Sequence, residues 1–199
     1  MKRLITYHNA EATGAWQEVA NDILVLPFWT EEFCREVIAA AEVMDEFRPL
    51  QSDVQNNAAP GQELRFNRIS PRFAENFQAH FKRRVEPIVR QHWWPLQLGA
   101  NRMPFVLKYA PDAQPSLDPH HDAAMISMTI VMNDGYDGGL LTFPRQHWDS
   151  RNIRPGTMIV FPSRVTHVHW VLPVTAGTRY SVVAWVVDAS VRPDDAISA

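Results

Sequence analysis

Short apolar segments separated by turns fill the second half of this 199-residue sequence and most constrain its fold. Valine, isoleucine, threonine and aromatic residues are frequent in these segments, and glycine or proline lies at several of the breaks. Segments of this length and composition predict β-strands. Strands in such close succession predict a sandwich or barrel, and a jelly roll is the form that leaves a pocket between two sheets. The predicted strands span residues 105–110, 125–132, 138–143, 157–161, 165–171 and 179–187.

The first half of the sequence shows helical patterns instead. Thr30 is a typical N-cap residue, and Glu31 and Glu32 would place negative charge in the first turn, where the helix dipole favours it. Apolar residues follow at helical spacing, so we predict a helix over about 31–45. Just before it, the apolar run at 22–28 predicts a short buried strand.

A second helix is predicted to begin at Ser70-Pro71, with Ser70 as the N-cap and proline in the first turn. Pro87 is expected to kink this helix or to shift its boundary. Residues 50–63 are polar and contain proline and glycine, which predicts a loop that could cover a site. The second helix should pack on a sheet because apolar residues recur every four positions, at Phe73, Phe77, Phe81, Val85 and Val89.

This order of elements predicts an α+β fold in which helices support one sheet. We expect a single domain over 1–199, because the chain has a suitable length and no linker or internal repeat. Residues 1–103 would supply the helical support and a substrate loop. Residues 104–188 would form the β core.

Composition and charge exclude several classes of function. The net charge of -3 gives no general attraction to nucleic acid or to anionic membrane surfaces. The N-terminus lacks the apolar run of a signal peptide, and no apolar stretch approaches membrane-spanning length. Cys34 is the only cysteine, so no intrachain disulfide can form, and a cysteine-rich zinc site is disfavoured. We therefore expect a cytoplasmic protein that binds neither nucleic acid nor membrane.

The run Pro-His-His-Asp that ends at Asp122 is the most specific candidate site. Side chains of an extended chain alternate between faces, so His120 and Asp122 share one face and His121 points to the other. An imidazole and a carboxylate suit a metal ion, and the third ligand could come from His169, 47 residues after Asp122, or from His167 on the same strand face. Two histidines and one carboxylate, with other positions open, are typical of non-haem Fe(II) oxygenases.

Arg179 begins the last apolar segment, ten residues after His169. A guanidinium held inside a pocket can bind a carboxylate through two parallel hydrogen bonds, as a dicarboxylate co-substrate would require. Ser181 shares its strand face, and Tyr109 on the first predicted strand could donate a further hydrogen bond. The alternative is that Arg179 lies on an exposed edge and its stem covers apolar surface.

Other polar and aromatic residues have weaker assignments. We expect His147 in a loop at the mouth of the pocket, and Arg145, Trp148 and Trp170 are candidates for its wall. Four aspartates could bind a substrate ammonium group, although each is more simply a turn residue: Asp112, Asp118, Asp134 and Asp137. The remaining histidines are predicted to be structural or exposed: His8, His80 and His92.

Two segments of the chain, 105–122 and 166–180, resemble the catalytic domain of procollagen lysyl hydroxylases. These enzymes are Fe(II)/2-oxoglutarate-dependent dioxygenases related to the prolyl 4-hydroxylase group. The similarity extends over about 104–188 and includes a tyrosine, the His-x-Asp pair, a distal histidine and an arginine ten residues later, all in the same order. It implies a double-stranded β-helix, the jelly-roll or cupin-like core, with supporting N-terminal helices.

The resemblance also implies the cofactors. Fe(2+) would be held by His120, Asp122 and His169, which favours His169 over His167 as the third ligand. 2-Oxoglutarate would be the co-substrate, with ascorbate as a further candidate cofactor. These assignments make residues 104–188 a metal-binding core.

Contacts to the co-substrate follow from the same resemblance. Arg179 and Tyr109 would hold its 5-carboxylate, and Ser181 would add a donor. Thr129 occupies a position where the family places a polar contact of another identity. Trp170 replaces what we align as an acidic residue after the third ligand, so the substrate could differ from that of the family.

The expected reaction is hydroxylation of an unactivated C–H group on a lysine-like amino acid or a peptidyl substrate, with O2 consumed and succinate and CO2 released. One alternative is a cupin-like metalloenzyme that does not use 2-oxoglutarate. Another is a non-catalytic metal-binding sensor. The oligomeric state stays open, with a homodimer as one candidate.

Overall fold

The computed structural model describes residues 7, 9–49, 62–94 and 96–190. Its helices are α1 (Glu31–Met44), α2 (Phe66–Ile69), α3 (Pro71–Arg84) and α4 (Glu86–His92). Short 3₁₀ turns span Pro144–Gln146 and Val165–His167. The strands are β1 (Gln17–Ala20), β2 (Ile23–Pro27), β3 (Arg48–Pro49), β4 (Gln62–Arg65), β5 (Leu98–Asn101), β6 (Phe105–Tyr109), β7 (Leu117–His120), β8 (Ile126–Val131), β9 (Asp137–Gly138), β10 (Leu141–Phe143), β11 (Trp148–Asp149), β12 (Thr157–Pro162), β13 (His169–Val171), β14 (Val174–Ala176) and β15 (Arg179–Asp188).

Two antiparallel sheets form the β core. The large sheet has the order β1-β2-β12-β8-β15-β6-β4-β3, and β5 also pairs with β15. The small sheet has the order β11-β10-β13-β7, and β9 pairs with β14. Strands that are neighbours in a sheet are often distant in sequence, as β8 and β15 are, so the fold depends on long-range pairing.

The large sheet has one face toward the helices and one toward the small sheet. Because side chains alternate along a strand, Ile126, Met128 and Ile130 of β8 join the apolar core that contains the helices. Val131 belongs to a second apolar core that includes side chains of the small sheet, and Ser127 and Thr129 share its face. We call this second side the pocket face.

Both predicted helices are present. The first runs over Glu31–Met44, and the Thr30 side chain accepts a hydrogen bond from the Phe33 amide at 3.2 Å, as an N-cap should. The second is interrupted at Val85, because α3 ends at Arg84 and α4 begins at Glu86, one residue before Pro87. The predicted boundary at Pro87 is therefore confirmed.

Ser70 is the N-cap of the second helix, as predicted, although its side chain makes no cap hydrogen bond. Ser70 closes α2 and opens α3 at the same time, and its own amide donates to the Phe66 carbonyl. Pro71 does occupy the first turn, as expected.

Two predicted strands are shorter than the sequence suggested. Within 165–171, the first three residues form a 3₁₀ turn, in which the His167 amide donates to the Arg164 carbonyl, and only His169–Val171 is a strand. Within 138–143, left-handed backbone at Gly138 and Gly139 separates β9 from β10. Both predictions were based on composition, and so they included residues that in the structure belong to turns. The hydrogen bonds and backbone angles that form these turns cannot be read from composition.

The predicted loop at 50–63 lies mostly outside the described residues, and its last two residues belong to β4. His8 also lies outside them. Among the residues that are described, no helix is long and apolar enough to cross a membrane.

A buried hydrogen-bond chain connects Tyr7 to the helical layer. The Trp29 indole donates to the Tyr7 hydroxyl at 2.8 Å, and this hydroxyl lies 3.1 Å from Nδ1 of His80, to which it can donate. His80 is 2% exposed and stacks on the ring of Phe28 at 4.1 Å. Burial lowers the pKa of His80 to about 4, against the opposing charge of Glu11.

The lowered pKa predicts that stability depends on pH. The unfolded chain binds a proton at position 80 near pH 6.5 and the folded chain only near pH 4, so the free energy of unfolding should fall as the pH drops through this interval. Urea titrations of wild type and His80→Gln should show a shallower decline in the variant.

His147→Asn is the matched control, because His147 is exposed and has a left-handed backbone that asparagine tolerates. This variant should keep the wild-type decline. Equal slopes for wild type and His80→Gln would contradict the assignment of the acid sensitivity to His80.

Candidate active site

Two histidines meet across the small sheet. His120 ends β7, His169 begins β13, and the two residues are direct partners in the antiparallel pairing of these strands. Their ring centroids are 4.4 Å apart. This pairing brings together side chains that lie 49 positions apart in the sequence.

Asp122 completes the cluster from the loop after β7. Its amide donates to the Ser163 carbonyl at 3.0 Å, which turns the chain back toward the histidines. Nε2 of His120 lies 3.6 Å from Oδ1 of Asp122, and Nε2 of His169 lies 3.8 Å from Oδ2. One potential ligand atom from each residue lies within 4.8 Å of the others, so the three could hold one metal ion.

Main-chain carbonyls orient both imidazole rings. Nδ1 of His120 lies 2.7 Å from the Asp118 carbonyl oxygen, and Nδ1 of His169 lies 2.9 Å from that of His167. A carbonyl can only accept, so each Nδ1 carries the proton. Each Nε2 then presents a lone pair toward Asp122, which is the arrangement that metal-binding histidines require.

Two serines orient the carboxylate of Asp122. The Ser127 hydroxyl donates to Oδ2, and the Ser163 hydroxyl lies 2.8 Å from that of Ser127, to which it can donate in turn. Asp122 is 9% exposed and both serines are buried. The sequence analysis missed them, and the only signal was that Ser127 precedes Thr129 by two positions on a strand.

Aromatic rings enclose His169. The Phe143 ring stacks on it with centroids 5.3 Å apart, and the Phe161 ring meets it edge-on at 4.9 Å. Burial lowers the pKa of His169, although the nearby Asp122 charge opposes this shift. The imidazole therefore stays neutral and keeps its lone pair at ordinary pH.

Arg179 is buried on the pocket face of β15 and is 3% exposed. Its Nη1 donates to Ser181 at 3.2 Å, and its guanidinium carbon lies 5.0 Å from the centroid of the Tyr109 ring, directly across the β15–β6 pair. Within the described ranges, no carboxylate lies within ion-pair distance of it. A buried cation without an acid is costly, so this arrangement suits a ligand that brings a carboxylate.

Other predicted co-substrate contacts lie on the same face. Tyr109 is 1% exposed, and burial raises the pKa of its hydroxyl to about 12 against the lowering effect of Arg179. It therefore stays protonated and can donate. Thr129 is 7% exposed on β8, where its strand neighbours are Ile159 and Val183.

Comparison with known proteins matches the β core to a family model. Residues 104–187 match the model of the 2OG-Fe(II) oxygenase superfamily. The oxygenase domain thus coincides with the predicted β core, and the superfamily's name gives its metal and co-substrate.

Curated relatives extend the similarity beyond the oxygenase core. Human procollagen-lysine,2-oxoglutarate 5-dioxygenase 1 is 31% identical over 175 residues, which cover 83% of this chain and 24% of the relative. A multifunctional procollagen lysine hydroxylase and glycosyltransferase of Caenorhabditis elegans is 30% identical over 195 residues, covering 90% and 26%. The chain thus spans about a quarter of the length of these relatives, and the match includes much of the helical half.

Solved structures support the fold. A Pseudomonas putida prolyl-4-hydroxylase superposes with a TM-score of 0.66 at 21% identity, covering 82% of this chain and 91% of the other. A Trichoplax adhaerens prolyl hydroxylase, solved with a peptide of hypoxia inducible factor, gives 0.68 at 14% identity, covering 90% and 88%. The α+β prediction with a double-stranded β-helix core and supporting helices is confirmed.

The structure separates the histidines that the sequence left ambiguous. His167 lies in a 3₁₀ turn, where Nδ1 meets the Thr166 hydroxyl at 2.9 Å and Nε2 meets the Asn21 carbonyl at 3.3 Å. The expectation that it shares a strand face with His169 is therefore wrong, because the chain turns between them. His121 is exposed, and His80 and His92 lie in the helical layer.

Some predicted pocket residues lie elsewhere. His147 and Trp148 line a cleft of about 670 Å³ between the β1–β2 hairpin and residues 147–154, and the lining of this cleft includes none of the three clustered residues. Arg145 is exposed and donates to the Val165 carbonyl at 2.8 Å. Trp170 is half-buried opposite Thr142. All four aspartates are exposed: Asp112 and Asp134 lie outside the strands, Asp118 lies in β7 and Asp137 in β9.

The serine pair predicts a measurable effect on metal affinity. Ser127→Ala removes the hydroxyl that orients Asp122, so Co(II) or Zn(II) should bind about ten-fold more weakly, the usual cost of losing a group that orients a ligand. Calorimetric titration of the purified protein measures this change.

Ser190→Ala removes an exposed hydroxyl near the end of β15 and should leave the affinity unchanged. Equal affinities for wild type and Ser127→Ala would show that the hydroxyl does not orient the ligand.

Proposed function

We propose that this protein is an Fe(II)- and 2-oxoglutarate-dependent hydroxylase that acts on an unactivated C–H group of a lysine-like amino acid or a peptidyl substrate. Succinate and CO2 are the co-products. The observation that carries the proposal is the combination of the His120, Asp122 and His169 cluster with a buried arginine that has no carboxylate partner within the described ranges. The match to the superfamily model supports the cofactor assignment.

Fe(II) fits the cluster. Two imidazoles and one carboxylate are the donor set of non-haem iron oxygenases, and three protein ligands leave positions for reactants. Both free Nε2 atoms and the carboxylate already face one another, so His120, Asp122 and His169 would hold the ion without rearrangement of the chain. Bound iron and 2-oxoglutarate together supply the oxidising chemistry for hydroxylation.

The protein's own residues position the co-substrate. Arg179 would bind the 5-carboxylate through charge-assisted hydrogen bonds, with the Tyr109 hydroxyl as a neighbouring donor. Ser181 fixes the guanidinium from the other side. Thr129 lies between these residues and Ser127 along the pocket face and would contact the co-substrate as a polar group.

Apolar side chains exclude water from this site. Phe143 and Phe161 cover His169, while Leu107 and Val131 flank Ser181 on the adjacent strands. A low local dielectric strengthens the hydrogen bonds of Arg179 to a bound carboxylate. It also protects a reactive site from side reactions with solvent.

The names of the relatives support a substrate class. The curated matches are named for procollagen lysine, and the solved neighbours include prolyl hydroxylases, one with a bound peptide. A lysine-like amino acid or a lysyl peptide is therefore the substrate that we propose. Trp170 lies next to His169, where the resemblance leads us to expect an acidic residue, and is one reason to test free amino acids and peptides together.

The first test measures succinate formed from 2-oxoglutarate with Fe(II), ascorbate and O2, with lysine, arginine, proline and short lysyl peptides added separately. Wild type should form succinate, and one of the additions should stimulate it. Asp122→Ala and Arg179→Ala should lose at least ten-fold of this activity, because each removes a charged contact in the buried site.

Arg35→Ala is the control, because Arg35 is exposed on α1. It should keep the wild-type rate. No succinate from wild-type protein that binds iron would instead favour a cupin-like enzyme without 2-oxoglutarate or a non-catalytic module.

Arg179 also predicts a binding effect that needs no turnover. Arg179→Met removes a buried charge but keeps an apolar stem, so the ligand-free protein should unfold at a similar or higher temperature. Wild type loaded with Zn(II) should be stabilised by 2-oxoglutarate through mass action, and the variant should lose this stabilisation. Thermal unfolding measures both. An undiminished effect of 2-oxoglutarate in the variant would contradict the role of Arg179.

A further inference from the structure

Arg102 lies on the pocket face at the end opposite to Arg179. It follows β5, its amide donates to the Trp185 carbonyl at 2.9 Å, and its guanidinium carbon lies 6.0 Å from the centroid of the Trp185 ring. Trp185 shares the face of Arg179 on β15 but lies six residues further along, about 20 Å at the usual rise of a strand. The two arginines therefore cannot bind the same carboxylate.

Trp185 lies next to the metal cluster. It is the direct strand partner of Ser127, whose hydroxyl contacts Asp122, and its ring packs edge-on against Phe105 at 5.2 Å. The ring is half-buried and belongs to the second apolar core. A molecule that lies beside the cluster, on the side away from Arg179, would meet Trp185 and Arg102.

Two hydrogen-bond donors at this position have no acceptor among the described residues. Nε of Arg102 and Nε1 of Trp185 are both buried, and neither has a hydrogen-bond partner in the part of the chain that the structure describes. Buried N–H groups without acceptors are rare and costly, and a catalytic role or an ion that completes them is one explanation. Here two such groups belong to side chains that pack on each other.

Among the described residues, the charge of Arg102 is also uncompensated. Arg65, which is the strand partner of Phe105, has the Glu63 carboxylate at 3.3 Å. Arg102, by contrast, has no carboxylate within 4.0 Å in the described part of the chain. The acceptor that fits this position is therefore an anion, and a carboxylate matches the fork of a guanidinium.

We infer that Arg102 positions the substrate by binding a carboxylate that the substrate carries, with the Trp185 indole as a second donor. The inference rests on the proposed hydroxylase function and narrows its substrate class. The carboxylate could be the α-carboxylate of a free amino acid or C-terminal residue, or the side chain of an acidic residue beside the target in a peptide.

The test is calorimetric binding without O2 to protein loaded with Zn(II) and 2-oxoglutarate. The first pair of probes is Nα-acetyl-lysine and its amide, which differ only in the carboxylate. The second pair is acetyl-Lys-Glu-amide and acetyl-Lys-Gln-amide, which differ only in the side-chain acid. Wild type should bind the acid of one pair at least ten-fold more tightly than its neutral partner, and that pair identifies the source of the carboxylate.

Three variants and a control assign the preference to this position. Arg102→Gln should reduce it to less than about three-fold, Arg102→Lys should retain part of it, and Trp185→Phe should weaken it while keeping an aromatic ring. Arg35→Gln, on the exposed face of α1, should keep it fully. Circular dichroism and thermal unfolding show which variants are folded. If Arg102→Gln is not folded, the preference measured for Arg102→Lys or Trp185→Phe decides the test.

Either of two results overturns the inference: a wild type without preference for the acid in both pairs, or a folded Arg102→Gln that keeps the preference. Succinate formation by the same wild-type preparation tests the proposed hydroxylase function separately. If succinate forms, turnover of the preferred acid by Arg102→Gln should show a KM raised at least ten-fold with a much smaller change in kcat. An effect on kcat alone would count against a role in substrate binding.

Discussion

The pairing of β7 with β13 is the contact on which the site depends. It sets His120 opposite His169, and the turn that follows returns Asp122 toward both rings. The large sheet then contributes Ser127 from β8 and Arg179 from the first residue of β15. Two sheets that face each other are thus needed, because one supplies the two imidazoles and the other supplies the groups that orient the carboxylate and bind a co-substrate.

The burial of Arg179 is unfavourable for the stability of the ligand-free protein. A buried guanidinium loses its hydration, and here it gains only a hydroxyl and an aromatic ring in return. The rest of β15 compensates through apolar packing of Val182, Ala184 and Val186 against the helices. An unfavourably buried charge of this kind, surrounded by favourable apolar packing, is expected where a ligand completes the structure.

Much of this arrangement could be predicted from the sequence, because it follows from local rules. Alternation along β15 placed Arg179 with Ser181, and the capping pattern at Thr30 predicted α1. The sequence also predicted that His120 and Asp122 meet, but in the structure β7 ends at His120 and a turn, not an extended strand, returns Asp122 to the cluster. The serine chain to Asp122 and the contact of Arg102 with Trp185 could not be predicted. Both join residues from separate elements, and small polar residues or a lone arginine carry no periodic signal. The turn at Val165–His167 was missed because its first two residues, Val165 and Thr166, are β-branched and therefore typical of a strand.

The carbonyl groups that orient the two imidazoles have a consequence for how this sequence can vary. His120 and His169 are held by the backbone of residues 118 and 167, and a backbone carbonyl is present whatever side chain the residue carries. A change of side chain at these two positions therefore leaves the orientation of the two Nε2 donor atoms unchanged, provided that the chain keeps its path. Asp118, which is exposed, is therefore free to vary while the metal-binding geometry persists, whereas the His167 side chain is buried and held by its own hydrogen bonds.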